Sequence, residues 1–312
     1  MHLTYTTLSL GQFSKYKALM LSAIVTLLLF ACWVNQANAK QAHGIVGIAH
    51  VAFQVSNLEK SVKQYSQHYG FMPAFSVQDN GSASYVKISD EQFIKLVEVN
   101  EKTDNNRLIE IAFQVTNLRH FVTFLKSKGF NPSSIYIAAD GTLASTLIGP
   151  SQHKLLFVEY RANSLQAKTK GQYLGENRLA DRLLHVGFTV DNEAQANAFY
   201  QQALGFEEIW RAARQDNGPD AWVNMKIPES RGDYVEYVLI DGMEPSRNQL
   251  GSMNHICLLS HDIQITRQQL KQNGLDDPNR HQPMVGRSNR WIINIHDLDG
   301  TRTEFMETKP AY

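Results

Sequence analysis

Residues 183–206 read LLHVGFTVDNEAQANAFYQQALGF, and the order of their patterns decides the fold. From Leu183 to Val190 the residues alternate as in a β-strand, the Asp191-Asn192 pair breaks that period, a helical pattern follows, and Gly205 closes it. His185 stands in the middle of the strand, where Val or Thr would be the ordinary occupant. One such histidine is no more than a polar strand residue unless the position recurs.

It recurs. IAHVAFQVSNLEKSVKQYSQHYGF from Ile48, LIEIAFQVTNLRHFVTFLKSKGF from Leu108 and MNHICLLSHDIQITRQQLKQNGL from Met253 align with the first stretch. The spacing is tight: 20 residues from His50 to Gly70 and from His185 to Gly205, 19 from Glu110 to Gly129 and from His255 to Gly274. Each glycine falls where a helix ends in a left-handed residue, which glycine adopts without a side-chain clash. Asn57, Asn117 and Asp191 are expected as helix N-caps, their side chains accepting the free backbone N–H groups of the first turn.

Three further strand-like runs follow each glycine, as in FEEIWRAAR, AWVNMKI and YVEYVLI after Gly205. Each repeat is therefore a β-α-β-β-β module, and the chain is expected to be an α+β protein of four modules. Modules 1 and 2 fill residues 46–160 and modules 3 and 4 fill 182–309. The polar stretch 161–181 is read as the linker between the two halves.

The last strands of modules 3 and 4 carry Glu236 and Glu304, 51 residues after His185 and 49 after His255. If two modules pair edge to edge about a twofold axis, alternate residues of their first and last strands point into one concave face. His185, Glu236, His255 and Glu304 then converge. Imidazole and carboxylate suit a divalent first-row ion (Fe, Mn, Co, Ni or Zn), one per chain, and two carboxylates buried together without a cation would repel one another. Trp222, Asn224, Asn294 and His296 are expected to face the same cup and to contact substrate, with core packing the other reading for Trp222 and Trp291 and simple exposure for His296. The first half holds His50, Lys95, Glu110 and Leu156 at the equivalent positions, a set that brings a cation and an apolar group where ligands are needed. That half is read as structural or substrate-covering, and His50 as structural.

With the repeats and the four ligands in place, residues 46–309 resemble the vicinal oxygen chelate superfamily of glyoxalases, bleomycin-resistance proteins and extradiol ring-cleaving dioxygenases. The resemblance implies paired modules forming two cup-shaped mixed sheets, and bidentate binding of a substrate's vicinal oxygens by a divalent ion. The four-ligand, glyoxalase-like pattern is matched by His185, Glu236, His255 and Glu304, and it assigns proton transfer to Glu304 first and Glu236 second. The extradiol pattern, iron(II) on two His and one carboxylate, is matched by His185, His255 and Glu304. It departs at the residue ten before the glutamate, Asn294 where the family has Tyr, and at the missing upstream acid-base His. A ligand-sequestering, bleomycin-resistance-like role is the non-enzymatic alternative. The reading favoured is a glyoxalase-like lyase or isomerase acting on a small molecule.

Charge adds an exclusion. Lys plus Arg and Asp plus Glu number 30 each, without a long basic run, so the electrostatic footprint of a nucleic-acid binder is missing. At the N-terminus, Lys15 and Lys17 precede an apolar run from Ala18 to Trp33 and an Ala37-Asn38-Ala39 site, the pattern of a secretory signal peptide over 1–39 cleaved after Ala39. A periplasmic or secreted protein without a membrane span after cleavage is expected, with lipid attachment at Cys32 the minor alternative. Cys257 is then the only cysteine left, so core burial rather than a disulfide must stabilise the chain.

Overall fold

The computed structural model describes residues 44–78, 81–99 and 107–312; the expected signal segment lies outside them. Module 1 runs β1 (Ile45–Val55), α1 (Leu58–Tyr69), β2 (Met72–Gln78), β3 (Ser82–Lys87) and β4 (Phe93–Glu98). Module 2 runs β5 (Leu108–Val115), α2 (Leu118–Ser127), a two-residue β6 (Tyr136–Ile137), β7 (Leu143–Ile148) and β8 (Lys154–Glu159). A short helix, α3 (Leu165–Lys168), lies between the halves.

Module 3 has β9 (Leu183–Val190), α4 (Glu193–Ala196) continuing as a π-helix over Asn197–Ala203, β10 (Glu207–Ala213), β11 (Asp220–Lys226) and β12 (Tyr234–Leu239). After α5 (Arg247–Met253), module 4 has β13 (His255–Leu259), α6 (Ile263–Gln272), β14 (Met284–Val285), β15 (Trp291–His296) and β16 (Arg302–Met306).

The capping logic holds with one correction. Asn57 and Asn117 accept the backbone N–H groups of Lys60 and His120, and Gly70, Gly129, Gly205 and Gly274 all have positive φ. In module 3 the cap is Asn192, not Asp191: Asn192 accepts from Gln195 N, while the Asp191 carboxylate is taken by the Ser151 hydroxyl at 2.6 Å. Of two adjacent capping residues, the one with no competing partner caps the helix.

Each pair of modules forms one eight-stranded mixed sheet, β2-β3-β4-β1-β5-β8-β7-β6 and β10-β11-β12-β9-β13-β16-β15-β14. The first strands of paired modules meet antiparallel at the centre, β1 on β5 and β9 on β13, and the last strand of each module flanks its first strand in parallel. These are the curled sheets of a vicinal oxygen chelate fold. The apolar alternates of the central strands share one continuous core with the helices, including Phe53, Phe113, Phe157, Phe188 and Phe206. Each such ring contributes about 1.5–3 kcal/mol on full burial, consistent with a fold that relies on its core.

The segment 161–181 is an ordered strap. Lys87, fully buried, donates to the carbonyls of Thr169 and Gln172 and pairs with Asp90 at 2.7 Å. Gly175 presses on Gly70 so closely that a Cβ there would come within 1.9 Å of the Gly70 carbonyl oxygen. The halves are further joined by Tyr69 against Phe305, Phe113 against Phe206 and Phe130 against Phe199, at ring separations of 5.3, 5.9 and 5.0 Å. Among the described residues no helix is long and apolar enough to cross a membrane.

Candidate metal centre in the C-terminal cup

Register places the candidate ligands in two rows. Asn224, Glu236, Gly187 and His255 are neighbours across β11, β12, β9 and β13. Tyr234, His185, Cys257, Glu304 and Asn294 are neighbours across β12, β9, β13, β16 and β15. The twofold relation between modules exchanges His185 with His255, Glu236 with Glu304, Asn224 with Asn294, and Gly187 with Cys257.

The two imidazoles converge at the centre, Nε2 to Nε2 at 3.2 Å. Two nitrogens bound at 2.0–2.1 Å to one ion, at tetrahedral to right angles, stand about 2.9–3.4 Å apart, so the pair fits a shared ion. Nδ1 of His255 donates to the Met253 carbonyl at 2.8 Å, which leaves Nε2 with its lone pair toward the cup. Glu236 Oε1 lies 3.6 Å from that Nε2. Gly187 is what allows this: a Cβ there would stand 2.0 Å from His255 Cε1, so the ring lies flat over a strand position that has no side chain.

The four expected ligands do not form one tight square. Ligand atoms of His185, Glu236 and His255 lie within 4.8 Å of one another, as do those of His185, Cys257 and Glu304. His185 belongs to both sets. The shared histidine is 1 % exposed and packs at a tilt against Tyr234, ring centres 4.6 Å apart and planes at 35°.

Electrostatics describe a cup short of positive charge at its centre. Burial, reinforced by Glu304, pushes the Glu236 carboxyl up to about 8. Burial raises Glu304 as well, opposed by Arg302, whose guanidinium lies 3.6 Å from it. Burial holds both histidines well below the usual imidazole range, with Arg302 adding to the effect. Unprotonated imidazoles beside carboxylates that resist ionisation are the donor set a divalent cation would stabilise.

Three of the expected substrate residues, Trp222, Asn224 and Asn294, line a cavity of about 240 Å³ with His185, Glu236 and Glu304. His296 does not: it is the exposed last residue of β15, hydrogen-bonded to Ser252 Oγ at 3.0 Å. Trp291 is instead packed against the main core. Sequence reasoning missed Trp210, Tyr234, Arg302 and Met306 in the wall and Cys257 beside Glu304 in the sheet. Period-two counting back from Glu236 and Glu304 reaches Tyr234 and Arg302, and counting forward from His255 reaches Cys257, so the signal was present. Larger hollows exist, such as one of about 840 Å³ lined by Asp191, Glu193 and Arg214, but no histidine lines that one.

The N-terminal cup is closed by ion pairs. His50 Nε2 lies 3.2 Å from Glu110, and Lys95 and Lys154 reach the same carboxylate at 3.0 and 2.9 Å. Burial pushes Glu110 up, but these three partners together hold it well below the usual carboxylate range. Ala52 and Ala112 occupy the places of Gly187 and Cys257. Glu159 faces away, accepting from Leu118 N at the start of α2.

Residues 182–305 match the family model described as Glyoxalase/Bleomycin resistance protein/Dioxygenase superfamily. Solved structures of similar fold include the 2,3-dioxygenase LapB from Pseudomonas sp. KL28, at 15% identity and TM-score 0.64 over 87% of this chain and 96% of that one. The Mn(II)-bound glyoxalase from Novosphingobium aromaticivorans aligns at 15% identity and TM-score 0.63, over 84% and 82% of the two chains. An extradiol ring-cleaving dioxygenase from B. fuscum aligns at 17% identity and TM-score 0.63, over 87% and 74%. Identities this low speak for the fold alone. Comparison with curated proteins gives no sequence match.

Proposed function

From a C-terminal half that belongs to the Glyoxalase/Bleomycin resistance protein/Dioxygenase superfamily, we propose that this chain is a divalent-metal enzyme of glyoxalase-like type acting on a small molecule with vicinal oxygens. The observation that carries the reading is the convergence of His185 and His255 at 3.2 Å beside two carboxylates that burial disfavours as anions. His185, Glu236, His255 and Glu304 would hold the ion. Bound there, it would supply Lewis-acid polarisation of a substrate carbonyl or enediol oxygen.

The remaining work falls to the chain. Glu304, with Glu236 as second candidate, moves a proton between the carbons of the substrate, a role open to a carboxylate placed beside the reacting atoms. Asn224 and Asn294, a twofold pair, present amides to the substrate oxygens from either side. Arg302 offers a guanidinium to negative charge. Trp210, Trp222, Tyr234 and Met306 exclude water. A cavity of about 240 Å³ is smaller than the usual ligand site and suits only a small substrate.

A ring-cleaving dioxygenase is the second reading, favoured by the dioxygenases among the fold neighbours. Asn294 in place of a tyrosine and the missing upstream acid-base His weigh against it. The test is turnover by the metal-loaded protein of hemithioacetals and of catechols, with and without oxygen. Oxygen-independent isomerisation supports the proposal, ring fission with oxygen uptake replaces it, and binding without turnover leaves a sequestering cup. The basic, apolar and Ala-x-Ala order of residues 15–39 supports export to the periplasm or beyond.

A further inference from the structure

We propose that Cys257 is a fifth donor of the same centre, a thiolate arm that draws the ion toward His185 and Glu304 and biases the site to softer divalent ions, zinc or cobalt over manganese. This rests on the metal reading above.

The position is built into the register. Cys257 lies between His185 and Glu304 in one row of the sheet, and its sulfur is within 4.8 Å of ligand atoms of both. All three side chains are buried, at 0, 1 and 8 % exposure. Packing alone does not ask for a thiol here. The three equivalent positions are Ala52, Ala112 and Gly187, so the fold is satisfied by a methyl group or nothing. Cys257 is the one member of the four that bears a donor atom, and it stands in the half that carries the histidines.

The two overlapping donor sets acquire a meaning from this. His185, Glu236 and His255 offer nitrogen and hard oxygen; His185, Cys257 and Glu304 offer nitrogen, sulfur and oxygen. A thiolate favours zinc or cobalt strongly over manganese, whereas a set without sulfur discriminates less. In ligation the S–H bond breaks, a sulfur–metal bond forms, and the proton leaves to solvent, so no oxidant or reductant is required.

The test is optical titration of the metal-free protein with cobalt(II), for the unchanged chain and for Cys257→Ala and Cys257→Ser, with circular dichroism to confirm folding. Expected in the unchanged chain are visible ligand-field bands together with a near-ultraviolet sulfur-to-cobalt charge-transfer band. Both variants should keep the former, lose the latter, and show a zinc-over-manganese preference reduced by at least about tenfold. Visible bands without the charge-transfer band in the unchanged chain would overturn the thiolate assignment and leave the metal reading intact. Failure of cobalt, zinc and manganese alike to bind the unchanged chain would overturn both. Because the spectrum of the unchanged chain decides, a variant that misfolds does not remove the test.

Discussion

His185 and His255 bring their Nε2 atoms to 3.2 Å although neither is the other's partner in the sheet: His185 sits opposite Cys257, and His255 opposite Gly187. The two rings must lean along the strands to meet, and His255 does so across the bare Cα of Gly187. One small residue therefore decides whether the centre can form.

Gly187→Ala tests that dependence. Its Cβ would stand 2.0 Å from His255 Cε1, so the ring must move. The overpacking is expected to cost about 1–3 kcal/mol, seen as a lower melting temperature. Metal affinity should fall about 10–100-fold in competition with a chelating indicator. An alanine variant that binds metal as tightly as the unchanged chain would show that the His255 position is not set by this contact.

The closed N-terminal cup predicts an acid-sensitive stability. Glu110 is held well below its usual range in the folded chain, so below its unfolded value of 4.5 the unfolded state takes up a proton that the folded state refuses. The stabilisation is present above that value and is lost as pH falls toward the folded value. Glu110→Gln should destabilise the protein by about 3–5 kcal/mol at pH 7, because Lys95 and Lys154 lose their shared partner. It should also flatten the loss of stability below pH 4.5 in denaturation curves. A variant with an unchanged acid slope would assign that slope to other carboxylates.

Asp233 ties the C-terminal half to the other. Immediately before β12, three residues before Glu236, it accepts from Ile48 N and Gln92 Nε2 of the N-terminal half while pairing with Arg182. Asp233→Ala leaves a partly buried guanidinium and a buried N–H without this partner and is expected to cost about 3–5 kcal/mol. Chemical denaturation should show both halves unfolding together at a lower midpoint. Loss confined to the C-terminal half would mean that the junction carries little of the stability.

What could be read without coordinates was what repeats. Four histidine or glutamate positions at fixed distance from four glycines gave the modules, and the 51- and 49-residue intervals to Glu236 and Glu304 picked out the half with ligand-type residues. What could not be read depends on which strands lie side by side and how far each extends. That Cys257 faces the cup follows from period-two counting, but its place beside Glu304 comes only from the pairing of β13 with β16, and His296, the last residue of β15, bonds to Ser252 rather than lining the cavity. Asn192 displaced Asp191 as the cap because Ser151, forty residues away in sequence, claims the aspartate. The division of the ligands into two sets sharing His185 follows from side-chain lean, which spacing does not encode.

The most direct measurement is the metal content of the chain purified without chelator, by elemental analysis, beside Glu236→Ala, His255→Ala and Leu156→Ala. The account predicts about one divalent ion per chain, lost or severely reduced in the first two variants and kept in the third, whose position belongs to the closed N-terminal cup. No ion after loading with iron, manganese, cobalt, nickel or zinc, or an ion indifferent to both Glu236 and His255, would contradict it.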